Sequence, residues 1–233
     1  MINISNLSVE LEDSQILKNI NFDISDSGFL TIVGKSGSGK SVLIKTIIGL
    51  IKSFAGKITI DGKINHLHKD KNISMLFQSS ALLDSMNVFY NVALPLQEHT
   101  HLTNDQIKEK VISTLKFVGL HNIENKVPSQ LSGGMKKRVA LARAIIQEPK
   151  YIFFDEPTTG LDPIIAAEII NLIKSLQNKL GFSAIIITHD IRFLQKLSGQ
   201  IIMLKDKRII FNGNIDDFLS SQNHNIKFFI ESY

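Results

Sequence analysis

The chain has 233 residues, of which 43% are hydrophobic and 21% charged, and it contains no cysteine. That length can bury a sizeable core and suits one domain carrying a lobe, while the missing cysteines exclude a disulfide framework. The net charge of +4 suits an anionic phospholipid surface but requires no special partner, and no apolar run approaches the length needed to span a bilayer. Met1-Ile2-Asn3-Ile4-Ser5 lacks the basic region and apolar core of a signal peptide.

In chain order, residues 2–9, 20–24 and 57–60 read as strands, and Asp61-Gly62 is a turn signal. Residues 29–33, 73–77, 151–154 and 183–188 are almost continuously apolar, the pattern of strands buried on both faces of a mostly parallel sheet. Residues 41–51 read as a helix. Between 79 and 148 the pattern turns helical. Ile107, Val111, Leu115 and Val118 recur at helical spacing over 105–118, and Thr103 with Gln106 forms a capping box at its start. Further helices are read at 133–147, 190–197 and 215–221. No internal repeat or low-complexity segment is visible. Residues 222–233 form a tail in which Ile226, Phe228, Phe229, Ile230 and Tyr233 are too apolar for a solvated end.

Three clusters carry chemistry. Gly34-Lys35-Ser36-Gly37-Ser38-Gly39-Lys40-Ser41 matches the phosphate-binding pattern G-x-x-x-x-G-K-[ST] in full. It lies between a strand run and a helix, so its backbone N–H groups and the helix N-terminus face an anion. Lys40 reaches the β- and γ-phosphates, and the Ser41 hydroxyl can ligate Mg²⁺. A Gly/Ser-rich turn with a solvated lysine would share the composition but not the strand, loop and helix in that order.

The second cluster is the strand run Tyr151-Ile152-Phe153-Phe154, which ends in Asp155-Glu156. Alone it could be a capped turn. Beside a phosphate loop, Asp155 would hold the metal through its water shell, and Glu156 would orient or deprotonate water as general base. The third is Leu131-Ser132-Gly133-Gly134-Met135. Ser132 is a good N-cap, and the glycines leave first-turn N–H groups open to a phosphate, although an ordinary capped helix reads the same way.

On these residues the chain resembles the ATP-binding cassette (ABC) ATPases. The phosphate loop, Phe154-Asp155-Glu156 and Leu131 to Met135 look like their Walker A, Walker B and signature motifs. Gln78 matches the Q-loop, Gly160-Leu161-Asp162 the D-loop, and His189 after Thr188 the switch histidine. The motifs occur in family order between Ile2 and Gly213. The resemblance implies an α/β P-loop NTPase cassette. It would have a mostly parallel core sheet, an antiparallel β subdomain and an inserted helical subdomain at about 79–148. The cassette would fill 1–221, with the tail at 222–233.

The resemblance further implies an ATPase that uses ATP and Mg²⁺ as a dimer of cassettes. Glu156, His189, Lys40 and Gln78 would form the catalytic set. Gly34, Lys35, Ser36, Gly37, Ser38, Gly39, Lys40 and Ser41 would bind the nucleotide from one subunit. Ser132, Gly133 and Gly134 would contact the γ-phosphate from the other, and Asp162 would bridge the two sites. Ser41, Gln78 and Asp155 would serve the metal. Gln78 would also relay nucleotide state to an integral membrane permease.

Two departures from the family pattern stand out. Met135 occupies the place of the usual Gln, so Ser132 loses the reciprocal half of a capping box. No aromatic lies in Val9-Glu10-Leu11-Glu12-Asp13, where the family stacks adenine. Leu11 would cover the ring instead, at a loss of about 1 kcal/mol, with low base selectivity.

The stretch from Phe77 to His99, with Gly39-Lys40-Ser41-Val42-Leu43 and the signature Met, resembles ATPases of Mla-type (maintenance of lipid asymmetry) phospholipid transporters. That resemblance implies a peripheral protein on the cytoplasmic face of the inner membrane, a permease partner and a lipid-binding periplasmic subunit. The tail would grip the second cassette or dock on its own core. ABC ATPases for amino-acid or lipoprotein cargo share most of these features. Soluble ABC ATPases acting on nucleic acid or the ribosome usually carry long coiled-coil insertions, zinc motifs or tandem cassettes, none of which is present, so no nucleic-acid partner is expected.

Overall fold

The computed structural model describes residues 1–53, 55–64 and 72–232. Tyr233, counted above in the apolar tail, lies outside them. The elements run β1 (Ile2–Leu11), β2 (Ser14–Ile24), β3 (Gly28–Val33), α1 (Lys40–Ile47), β4 (Ala55–Ile60), β5 (Lys63–Ile64), β6 (Ile73–Leu76), α2 (Val88–His99) and α3 (Asn104–Phe117). After a 3₁₀ turn at Pro128–Gln130 come α4 (Gly133–Ile145), β7 (Tyr151–Asp155), α5 (Pro163–Leu180), β8 (Ser183–Ile187) and α6 (Ile191–Leu197). β9 (Gln200–Lys205), β10 (Arg208–Asn214), α7 (Ile215–Leu219) and α8 (His224–Ser232) complete the described chain. The chain divides into two compact units, Met1–Asp70 with Ser183–Tyr233, and Lys71–Phe182.

The first unit contains an antiparallel sheet in the order β2-β1-β4-β5. In β1, Ile2, Ile4, Leu7 and Val9 are buried, and the step from Ile4 to Leu7 breaks period two. A bulge explains it: Asn6 takes φ +50°, and the register shifts between Ile4 and Leu7. Asn19, at φ +51°, interrupts β2 in the same way. The strand therefore starts at Ser14 rather than at residue 20, and it buries Leu17 ahead of the break. Asp61 (φ +48°) and Gly62 (φ +79°) make the two-residue hairpin between β4 and β5, with Ile60 opposite Lys63.

The same unit places β3 between two parallel neighbours, β8 and β9, with β10 antiparallel to β9. α1 ends at Ile47, four residues short of the sequence reading, because Gly49 turns left-handed at φ +82°. Within the tail, His224–Ser232 form a helix. On α8, Ile226 and Phe229 are buried with Phe218, Leu194, Ile201 and Met203, and the Phe229 and Phe218 rings meet edge-on at 6.4 Å. α8 thus packs on the chain's own core. Phe228 stays exposed, with Lys35 Nζ 4.4 Å from its ring centre.

In the second unit β6 runs parallel to β7, whose five residues are all buried. α3 begins with the expected capping box, Gln106 N donating to Thr103 Oγ1 and Thr103 N to Gln106 Oε1. α4 ends at Ile145, two residues earlier than read from sequence. Ahead of α2, the turn at residues 83–87 is held by the wholly buried Asn91. Its Nδ2 donates to the carbonyls of Leu83, Met86 and Asn87, each at 3.0 Å, and its Oδ1 accepts from Leu83 N at 2.8 Å. That amide group is fully used, so its burial carries no unmet polar penalty.

Candidate active site

In the first unit, strand register places the phosphate loop. β3 and β8 are parallel with Ile32 opposite Ile187. Gly34 and His189 each follow two residues later, so both emerge at the carboxyl edge of the sheet, where α/β folds bind ligands. Gly34 has φ +149°, and a Cβ there would lie 2.4 Å from the Leu204 carbonyl oxygen. Only glycine fits that approach. The Lys40 side chain turns back into the loop, where its Nζ donates to Gly34 O at 2.8 Å and Lys35 O at 3.0 Å. α1 starts from Gly39, which offers no side-chain cap. Ser38 Oγ is buried without a hydrogen-bond partner among the described residues. An uncapped helix start, a folded-back ammonium and an orphaned hydroxyl fit a polyphosphate. A cavity of about 620 Å³ opens beside the loop, walled by Ile16, Lys35, Ser36, Ser38, Lys207 and Phe228. Gln15 and Ile16, rather than Leu11, line it from the first hairpin.

In the second unit β6 and β7 repeat this logic. Leu76 pairs with Phe154, and Gln78 and Glu156 follow two residues later at one edge. Gln78 Nε2 donates to Glu156 Oε2 at 3.4 Å, and Thr159 Oγ1 donates to the same oxygen at 2.8 Å. Glu156 takes φ +48°, uncommon for a non-glycine residue and found at functional turns. Asp155 is buried at the strand end. Lys137 of α4 is also buried, and its Nζ donates to the Gln78 carbonyl at 2.5 Å. Burial pushes its ammonium below the usual lysine range, while the charges of Asp155 and Glu156 act in the opposite direction.

Ser132 caps α4, its side chain accepting from Met135 N at 3.3 Å. The two glycines after it also have a packing reason. A Cβ on Gly133 would meet Leu161 Cδ2 at 3.3 Å, and one on Gly134 would meet Ile165 Cγ2 at 2.8 Å. Asp162 caps α5, with Oδ1 accepting from Ile164 N at 3.1 Å and Ile165 N at 3.0 Å. His189 is exposed, and beside it Asp190 pairs with Arg192.

Register thus brings Gly34 to Ser41 and His189 to one edge in the first unit, and Gln78 and Glu156 to one edge in the second. Ser132 and Asp162 stand at helix N-termini of the second unit. Sequence reasoning missed Lys137 and Thr159. Lys137 had a visible signal: it shares a helical face with the buried Leu141 and Ala144, an unusual place for a lysine. Thr159 had none.

Residues 17–159 match the family model described as ABC transporter. The chain is 37% identical to the intermembrane phospholipid transport system ATP-binding protein MlaF of Haemophilus influenzae, over 99% of this chain and 90% of that protein. It is 37% identical to the MlaF protein of Escherichia coli, over 93% and 83%. Among solved structures it matches the ATP-binding cassette MJ0796, a dimer in a post-hydrolysis state with ADP and Pi. There the TM-score is 0.82 and the identity 31%, covering 92% of this chain and 99% of that one. It also matches cbiO1 of Clostridium perfringens, part of the cbiONQ ABC transporter complex, with TM-score 0.85 and 31% identity over 95% and 91%. With this cassette fold and these motifs, the chain belongs to the ABC transporter family and is an ATP-binding, ATP-hydrolysing subunit.

Proposed function

We propose that the chain hydrolyses ATP to drive phospholipid transport between membranes of the cell envelope, working as a homodimer beneath an integral membrane permease. The observation that carries the cargo is the identity with the two MlaF proteins along nearly the whole chain. The cassette's own residues supply the chemistry. The loop N–H groups and Lys40 bind the β- and γ-phosphates and offset the charge on the oxygens. Glu156, aligned by Thr159 and Gln78, orients the attacking water and accepts its proton. His189 holds the γ-phosphate from the loop's own sheet edge.

Among the described residues no group of three or more His, Asp or Glu side chains could hold a metal by itself. Ser41, Gln78 and Asp155 would serve Mg²⁺, which keeps several waters and phosphate oxygens as ligands. When bound, Mg²⁺ neutralises charge on the phosphate oxygens. Ser132, Gly133 and Gly134 address the nucleotide of the second copy, and Asp162 bridges the two sites. No described helix is long and apolar enough to cross a membrane. Attachment to the cytoplasmic face of the inner membrane would run through the permease, with a lipid-binding periplasmic subunit on its far side.

The test is reconstitution of the chain with its co-purifying membrane proteins in phospholipid vesicles. ATP-dependent transfer of labelled phospholipid to acceptor membranes supports the proposal. ATP-dependent movement of amino acids or lipoproteins, with lipid transfer indifferent to ATP, overturns the cargo and leaves the ATPase in place.

A further inference from the structure

Between the end of β6 at Leu76 and the start of α2 at Val88, the backbone carrying Gln78 belongs to no strand or helix. Three of its carbonyls are instead taken by cations of α4. Lys137 Nζ is 2.5 Å from Gln78 O. Arg143 reaches Ser80 O with Nη2 and Ala81 O with Nη1, both at 2.8 Å. Ser80 and Ala81 have φ +66° and +45°, so the chain turns sharply where Arg143 holds it. Of the two cations, Lys137 grips the residue whose side chain reaches Glu156, and it is only 5% exposed.

A carbonyl at this edge could be met by water or by a neutral side chain. A buried ammonium is a costly way to satisfy it unless its reach and charge matter, because taking a cation out of water carries a large penalty. Lys137 meets both conditions. Its long stem spans from α4 to the Gln78 backbone, and its charge is offset by Asp155 and Glu156 in the same unit.

We infer that Lys137 is a positioning residue for ATP hydrolysis: by tethering the Gln78 carbonyl to α4, it holds the Gln78 amide against Glu156. It touches no substrate. Its effect passes through Gln78, so its loss lowers turnover more than nucleotide affinity. The inference rests on the proposed roles of Gln78 and Glu156.

The experiment measures steady-state ATP hydrolysis with Mg²⁺, together with melting temperature, on the full chain. The variants are Lys137→Met, Lys137→Gln, Lys137→Arg, Gln78→Ala and the Lys137→Met/Gln78→Ala pair. Lys137→Met should lower kcat about tenfold while KM for ATP moves by less than about threefold. Lys137→Gln, one atom shorter and neutral, should show the same split and serves if the Met variant does not fold. Lys137→Arg, which keeps reach and charge, should recover most of kcat. In the Gln78→Ala background Lys137→Met should add less than about a twofold loss, because the two act through one contact.

Wild-type kcat in the Met or Gln variant overturns the inference. So do losses that multiply in the double variant, or a fall in kcat that tracks melting temperature and is not rescued by Arg. Glu156→Gln is the control for the underlying roles. Wild-type turnover in Glu156→Gln removes the reading of Glu156 itself. An inactive Glu156→Gln beside a fully active Lys137→Met removes the Lys137 tether alone.

Discussion

The proposed nucleotide site in the phosphate loop is eight consecutive residues shaped mostly by backbone: positive-φ glycines, a helix start and one lysine folded back on the carbonyls of Gly34 and Lys35. The Gln78–Glu156 edge is built instead by side chains, which come from the segment after β6, the helix α4 and the turn after β7. The first geometry is local and follows from glycine stereochemistry. The second depends on strand pairing and on side-chain hydrogen bonds between separate segments of the chain, each of which one substitution can remove. Changes in the loop should therefore abolish the nucleotide site outright, while changes at the second edge should separate binding from turnover.

The largest effect is expected for Lys40→Ala. It removes both the phosphate's point charge and the two loop hydrogen bonds, and turnover should fall at least about a thousandfold. Turnover near the wild-type rate in this variant would break the contrast at its stronger end.

Phe229→Ala sharpens the contrast by striking neither edge. It opens a cavity beside Phe218, at a cost of about 3–5 kcal/mol, or roughly 10 °C in melting temperature for a chain of this size. Calorimetry should show that drop. A melting temperature within a degree of wild type would mean that α8 does not dock on this core in solution.

Asn91→Ala tests how far the second edge relies on its flank. Deleting the amide takes the partner from Leu83 N and Met86 O, while Leu83 O and Asn87 O keep the N–H groups of Met86 and Asn91, and should cost about 1–3 kcal/mol by denaturant unfolding. A shift under about 0.5 kcal/mol would show that water replaces the amide there.

The smallest effect concerns pH. The Arg192 guanidinium, hydrogen-bonded to Asp190, holds that carboxyl below its ordinary range. A depressed folded pKa adds stability above the unfolded value of about 3.9, and that stability is lost as pH falls through the folded pKa. Arg192→Gln should therefore be slightly less stable than wild type at pH 7, and the difference should vanish in acid. Because Arg192 is exposed, the pH 7 gap is small. A gap that grows toward acid would reverse the sign.

The two edges also differ in how they could be read from sequence. The loop was legible because its chemistry is contiguous, and the buried strands were legible as unbroken apolar runs. Period two failed where Asn6 and Asn19 insert bulges, which hid the first half of β2. Helical spacing ran past the end of α1 because Leu50 and Ile51 continue the apolar pattern after Gly49 has turned the chain. Gln78 and Glu156 could be named one by one, but not their contact, nor the lysine holding it. Those depend on which strands pair, and Leu76 opposite Phe154 is a tertiary fact. In the tail, Ile226, Phe229 and Ile230 already have helical spacing, yet nothing local says which surface receives them.

The most direct test of the central claim, that this chain binds ATP with one set of residues and hydrolyses it with another, is Glu156→Gln assayed beside wild type for ATP affinity and turnover. The account predicts unchanged affinity and hydrolysis slowed about 10²–10⁴-fold. Turnover at the wild-type rate, or affinity lost together with turnover, would contradict it.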